Sequence, residues 1–234
     1  MSGVPPAFNF ETFRSRHCAK ELNGSETRTL SRATIIKFYG GDWRGFRAYD
    51  PRGGCKGSLF FSQMNKYDIT VDFGGIVVFA PDRLVDYFGK IEIDANIYKT
   101  FITSDDGEKV VEQGIVLPIL GINDSHYPVF IRYADEEPQV RPGLIIFENR
   151  GFPLFVRDRC VIADLGAFLE WSPPDGWIFL DIRPGFYNVT VRGYRDIKNG
   201  QVVDFGFELV FTRTEMLPKL TATLTQDMQV LSLP

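Results

Sequence analysis

From Ser58 to Phe211 the chain is built of apolar runs of four to seven residues broken by Gly, Pro, Asn and Asp, and this punctuation restricts its folds most. Runs that short suit strands better than helices, which need about 10–12 residues to show their period. The pattern predicts strands at Thr34–Tyr39, Ser58–Phe61, Asp68–Asp72, Ile76–Ala80, Lys90–Asp94, Ile115–Leu120 and Pro128–Tyr133. It predicts more at Leu144–Glu148, Leu154–Val156, Val161–Asp164, Trp177–Ile182, Asn188–Tyr194 and Phe207–Phe211. After Pro184-Gly185, Tyr187, Val189 and Val191 alternate with Asn188, Thr190 and Arg192, the period-two signature of a strand with one buried face. Long amphipathic helices are missing, and Asp82–Gly89 is the best candidate for a short one. An aromatic share of 14%, with 21 Phe and 9 Tyr, favours pleated, half-buried surfaces. The expectation is a mostly β chain folded as an antiparallel sandwich-like body, with an irregular N-terminal arm over residues 1–32.

Self-similarity sharpens this picture. Gly75–Val85 matches Gly151–Val161 in Gly, Phe, Asp-Arg and Val at one spacing. Gly114–Leu120 matches Gly176–Ile182, and Tyr127-Pro-Val-Phe-Ile-Arg-Tyr133 matches Tyr187-Asn-Val-Thr-Val-Arg-Gly193. Leu144–Phe147 and Glu208–Phe211 close the series. The expectation is an internal duplication, with two units at about 73–149 and 150–214 sharing one strand order. Domains then read as an arm over 1–32, a first β unit with its preceding strands over 33–149, and a second unit with its tail over 150–234.

Charge and cysteine usage narrow the function. Lys and Arg number 26 against 30 Asp and Glu, a net charge of −4. That balance lacks the footprint of phosphate-backbone binding, so no nucleic-acid partner is expected; a basic protein partner is compatible with it. Cys18, Cys55 and Cys160 are sparse, odd in number and outside any C-x-x-C arrangement, which fits a reducing compartment. The first residues, Met-Ser-Gly-Val-Pro-Pro, have neither the basic nor the apolar region of a secretory signal, and no apolar run is long enough to span a bilayer. A cytoplasmic location without a membrane partner is the expectation.

Each reactive constellation falls short of a site. Ser125-His126 would need a third group to orient a base, and no G-x-S-x-G elbow occurs; a hydrolase remains an alternative only with His126 in a cleft beside a carboxylate. His17-Cys18 lacks the second pair that zinc requires. Gly40-Gly41-Asp42-Trp43-Arg44-Gly45 lacks the Gly-Lys-Ser/Thr ending of a phosphate loop. It reads as a surface loop presenting Trp43 and Arg44 as binding anchors, with a core position for Trp43 as the other reading. Asp105-Asp106-Gly107-Glu108 and Asp135-Glu136-Glu137 read as solvated acidic loops, and in their functional reading they steer a basic partner. Trp171 and Trp177 flank Ser172-Pro-Pro-Asp-Gly176 and read as strand-end core or as a sugar-stacking pair. No cofactor motif is present.

The second unit carries a family resemblance. Gly151–Val156, Val161-Ile-Ala-Asp164, Trp177–Ile182, Pro184-Gly185-Phe186-Tyr187 and Val189-Thr190-Val191 resemble the small bacterial competence protein J type. The shared motif is an apolar strand, a Pro-Gly-x-Tyr turn and an alternating strand; the first unit departs from it, with Asn123-Asp124-Ser125-His126-Tyr127 in that place. Members of that family are small nuclease inhibitors, similar in style to bacterial immunity proteins. The resemblance implies a non-catalytic protein that occludes a basic nuclease or toxin, and no inhibitory residue carries over from it position by position. From their loops alone, Trp43, Arg44, Asp135, Glu136 and Glu137 are the expected partner-binding residues. A carbohydrate-binding β-sandwich is the alternative.

Overall fold

A computed structural model describes residues 65–231, all within one unit, Ser62–Pro234. Trp43, Arg44, His17, Cys18, Cys55, the N-terminal arm and the strands expected at Thr34–Tyr39 and Ser58–Phe61 lie outside the described residues. The strands are β1 (Lys66–Val71), β2 (Gly75–Phe79), β3 (Val116–Leu120), β4 (Ser125–Tyr133), β5 (Ile145–Val156), β6 (Cys160–Asp164), β7 (Ile178–Leu180), β8 (Gly185–Lys198) and β9 (Gln201–Thr214). The helices are α1 (Pro81–Phe88), α2 (Ile97–Thr103), α3 (Asp106–Glu112) and α4 (Gly166–Leu169). A five-stranded sheet runs β1-β4-β9-β8-β5 and a four-stranded sheet β3-β2-β6-β7, antiparallel throughout except where β4 lies parallel to β9.

Burial explains the layers. The inward rows of the large sheet (Ile69, Tyr127, Val129, Leu154, Tyr187, Val189, Leu209, Phe211) share one core with Ile76, Val78, Leu117, Ile162 and Leu180 of the small sheet. The other face of the small sheet, with Val77, Phe79, Val116 and Val161, packs on Leu84, Val110, Phe168 and Trp171 from the helical segments. A strand covered on both faces cannot alternate, and β2 is accordingly apolar and buried at all five residues. Two sheets thus share one core, consistent with the expected sandwich, and helices pack on the other face of the small sheet.

Four sequence expectations are corrected. Lys90–Asp94 is not a strand: Ala95 N bonds Glu92 O, and Asp94 takes a φ of 63°, so the chain turns there. It then enters α2, which Asn96 caps by accepting a 2.8 Å bond from Lys99 N. Asp105–Glu108 is not a loop but the start of α3, where Asp106 and Glu108 suit the positive end of the helix. Ser125-His126 lies not in a turn but in β4, paired with Val71 and Thr70. Leu144–Glu148 and Leu154–Val156 belong to one long strand, β5, irregular near Ile146 and Gly151. Gly151 has a φ of 97°, and a Cβ there would overlap Thr221 of the C-terminal segment. That segment runs along the open edge of β5: Thr221 N bonds Gly151 O at 3.0 Å, and the Asn149 amide exchanges two bonds with Thr223. The edge is thereby hidden from intermolecular strand pairing.

The described residues contain one layout twice, consistent with a duplicated β unit. Lys66–Tyr133 and Ile145–Lys198 each run from the large sheet into the small one, through a helical insert, and back. Tyr127 pairs with Ile69 as Tyr187 pairs with Leu154, and Val78 pairs with Leu117 as Ile162 pairs with Ile178. The Tyr127/Tyr187 match therefore holds, and the Gly114/Gly176 match is one residue out of step. The Gly75/Gly151 match does not correspond in space, because β2 lies in the small sheet and β5 in the large one. Nor does the Leu144/Glu208 match: β9 lies between β4 and β8, with no counterpart.

Candidate functional site

The central strand β9 carries Glu208 on the outer face of the large sheet, fully buried. Matched arginines reach it from both sides: Arg132 of β4 donates Nε to Oε1 at 3.1 Å, and Arg192 of β8 donates Nη1 to Oε2 at 3.0 Å. Isolated burial of a carboxylate is prohibitive, whereas a doubly bonded one is sustainable. The same Oε1 accepts from Gln139 N at 2.9 Å and, at the longer distance of 3.5 Å, from Val140 N. These amides belong to the connection 134–144, which leaves β4 and must cross β9 and β8 to reach β5 at the far edge. Arg132 Nη1 adds bonds to Tyr133 O and Glu136 O, each 3.1 Å, and the Val140 side chain of the crossing is buried. Glu148 and Arg150 extend the ion-pair row across β5. Burial alone would raise the Glu148 carboxyl, but bonds and charge from Arg150 and Arg192 outweigh it and hold its pKa below the ordinary range.

The crossing thus begins as a fixed rather than a floppy segment, and it carries the predicted Asp135, Glu136 and Glu137. All three are exposed. Glu136 Oε2 accepts from Tyr133 N at 2.8 Å, which fixes the first turn. Asp135 and Glu136 also line a cavity of about 160 Å³ together with Tyr133, Arg183, Tyr187 and Arg213. This notch is the end of the sandwich interior. Along β4 the inward row runs Val129, Ile131, Tyr133, and along β9 Leu209, Phe211, Arg213, so the last inward residue of each strand is polar where the core meets water.

Arg183 and Tyr187 come to the lining from either side of the Pro184-Gly185-Phe186 turn. Tyr187 Oη donates to Arg183 O at 2.6 Å, and Arg183 N donates to Tyr133 Oη at 3.1 Å. The Arg183 guanidinium stands 5.3 Å from the Tyr133 ring centre, and Arg213 Nη2 donates to Pro184 O at 3.2 Å. A Cβ on Gly185 would come within 3.3 Å of Arg213 Nε, so the absent side chain is what lets that guanidinium lie close. Burial, then its Tyr133 neighbour, pushes the Tyr187 phenol up to about 12. Neither Arg183 nor Arg213 has a carboxylate within ion-pair distance among the described residues.

The remaining candidates lie elsewhere. His126 is exposed on β4, its Nδ1 2.9 Å from Thr70 Oγ1, and it does not line the notch. Trp171 is buried and Trp177 packs beside it, both against Phe79, so they belong to the core under the helices rather than to an open sugar platform. Arg183 and Arg213 escaped the sequence reading, although the inward phase of β9 places position 213 at the core's end.

No protein-family model matches the chain, and no curated protein matches it. Among solved structures, the fold is similar to that of ComJ from Bacillus subtilis, an inhibitor of the DNA-degrading activity of NucA. That similarity has 9% identity and a TM-score of 0.39, covering 64% of this chain and 95% of the other. It is also similar to the product of crocagin biosynthetic gene J, at 10% identity and a TM-score of 0.42, covering 64% and 97%.

Proposed function

We propose that this chain is a non-catalytic binding protein that docks on a basic protein through the acidic loop Asp135–Glu137 and occludes it. The observation that carries this reading is the way the loop is held. Two arginines and a fully buried glutamate fix the crossing from which three exposed carboxylates project. Burying an ion network rarely stabilises a fold by itself, so its use here to fix a surface segment points to a need for rigid presentation. A loop already ordered before contact avoids the cost of ordering on binding.

Charge supports the partner's chemistry. Residues 65–231 hold 16 Lys and Arg against 25 Asp and Glu, a net −9, whereas residues 1–64 hold 10 against 5, a net +5. The unit that bears the loop is therefore far more acidic than the whole chain, and its field speeds the encounter with a cationic surface. The sequence resemblance of residues 151–214 implies a nuclease or toxin as the partner class.

The test is a DNA-degradation assay with a panel of basic bacterial nucleases, titrated with the protein and followed by calorimetry of any inhibited pair. Stoichiometric inhibition that weakens with salt, and that falls at least tenfold in Asp135→Lys/Glu137→Lys, is the expected result. A panel left uninhibited and uncomplexed would overturn the reading, as would inhibition indifferent to the charge reversal.

A further inference from the structure

We infer that the notch between Arg183 and Arg213 is a receptor for a carboxylate group. In a unit of net charge −9, these two guanidiniums line one cavity without a carboxylate partner among the described residues. Neither is loose. Arg183 is stacked on Tyr133, and Arg213 is tied to Pro184 O and seated against Gly185. Each such contact occupies part of a guanidinium that has five N–H donors; both side chains are exposed, so the other donors are free to exchange water for a ligand. A guanidinium's planar fork matches a carboxylate in bidentate geometry, which suits two arginines lining one cavity to that group.

Size and lining restrict the ligand. About 160 Å³ holds a carboxylate with a few attached carbons, well below the roughly 300–1,000 Å³ of drug-sized sites. Asp135 and Glu136 line the same cavity, which penalises a dianion more than a monoanion. The site therefore prefers a carboxylate to a phosphate, and the acids in its lining favour a cationic group beside it. A polypeptide's terminal carboxylate and a free small acid share this chemistry. The inference goes beyond the docking reading, because the isolated protein suffices to test it.

The experiment is an NMR titration of the arginine Nε–H signals with acetate, with inorganic phosphate, and with a short lysine-containing peptide bearing a free or an amidated C-terminus. All titrations are run at constant ionic strength in chloride. Saturable shifts at Arg183 and Arg213 with acetate are expected, weakened at least tenfold by Arg213→Gln and only partly restored by Arg213→Lys. Tighter binding of the free-ended peptide than of its amidated twin identifies a polypeptide end as the source, and equal affinities with acetate still binding identify a small acid. Phosphate binding more tightly than acetate, the absence of any saturable shift, or indifference to Arg213→Gln would overturn the inference. Failure here with nuclease inhibition intact would leave the acidic loop as the docking element.

Discussion

The two matched tyrosines show where the repeated halves agree and where they part. Tyr127 and Tyr187 are both fully buried, both open the inward row of their strand, and both donate to the carbonyl four residues earlier, Asn123 O at 2.7 Å and Arg183 O at 2.6 Å. The structural task at the two ends is the same: a phenol closes the core and ties down the incoming turn. The surroundings differ. Around Tyr127 stand Asn123, Asp124, exposed His126 and the Phe205 and Phe207 rings, whereas around Tyr187 stand Arg183, Arg213, Tyr133 and the acidic crossing. The repeated layout supplies the scaffold, and among the described residues the charged cavity lies at the Tyr187 end. Arg183 of the second turn, Arg213 of β9 and the acidic crossing together make the distinction.

The strand that belongs to neither repeat offers the strongest way to break this comparison. Glu208 joins an arginine from each half, so Glu208→Ala leaves two guanidiniums without their shared partner. A loss of about 3–5 kcal/mol in urea unfolding is expected. Faster amide exchange at Gln139 and Val140 should accompany it, since both donate to Glu208. A loss below about 1 kcal/mol would mean that the crossing is held by something else.

Alkaline unfolding tests whether the two ends are equally closed. Burial pushes both phenols, Tyr127 and Tyr187, up to about 12 from an ordinary value of 10. Unfolded tyrosines release their protons near pH 10 while the folded ones hold theirs. Their contribution is therefore intact below pH 10 and is lost as pH rises from 10 towards 12, by about 1.4 kcal/mol per pH unit for each tyrosine. Stability measured from pH 8 to 11.5, with phenolate absorbance as the probe, should show both groups ionising with unfolding. Early ionisation of either would show that its end is open to water.

A smaller effect separates the hydrogen bond from the burial. Tyr127→Phe and Tyr187→Phe each remove one bond while keeping the ring, so each should cost about 1 kcal/mol. Only Tyr187→Phe should also weaken acetate binding, because only Tyr187 lines the notch. Least disruptive to the fold is Asp135→Asn, an exposed change expected to alter stability by less than about 0.5 kcal/mol while slowing association with a basic partner.

Much of the scaffold was legible in the sequence because its local rules are strict. The Tyr187–Val191 alternation gave the inward face of β8, and the apolar runs gave β2, β3 and β6. The short helices were harder. In α2 and α3 the signal lay in caps, Asn96 ahead of Lys99 and acidic residues ahead of Val110 and Val111, rather than in any long apolar stripe. The hairpin joining β8 to β9 turns at Asn199-Gly200, whose φ values of 53° and 75° suit a two-residue type I′ turn; that dipeptide was passed over, and the flanking strands were read as shorter than they are. The acidic loop was visible as charge. The notch was not, since it gathers residues 133, 183, 187 and 213 through the parallel β4–β9 pairing and the β8–β9 register, which no local pattern encodes.

Amide exchange on the protein bound to an inhibited basic nuclease bears most directly on this division of labour. New protection should appear over Tyr133–Glu137, Arg183–Tyr187 and Arg213, with none over Asn123–Tyr127. Protection centred on the Tyr127 end, or spread evenly over both, would contradict the assignment of recognition to the charged end.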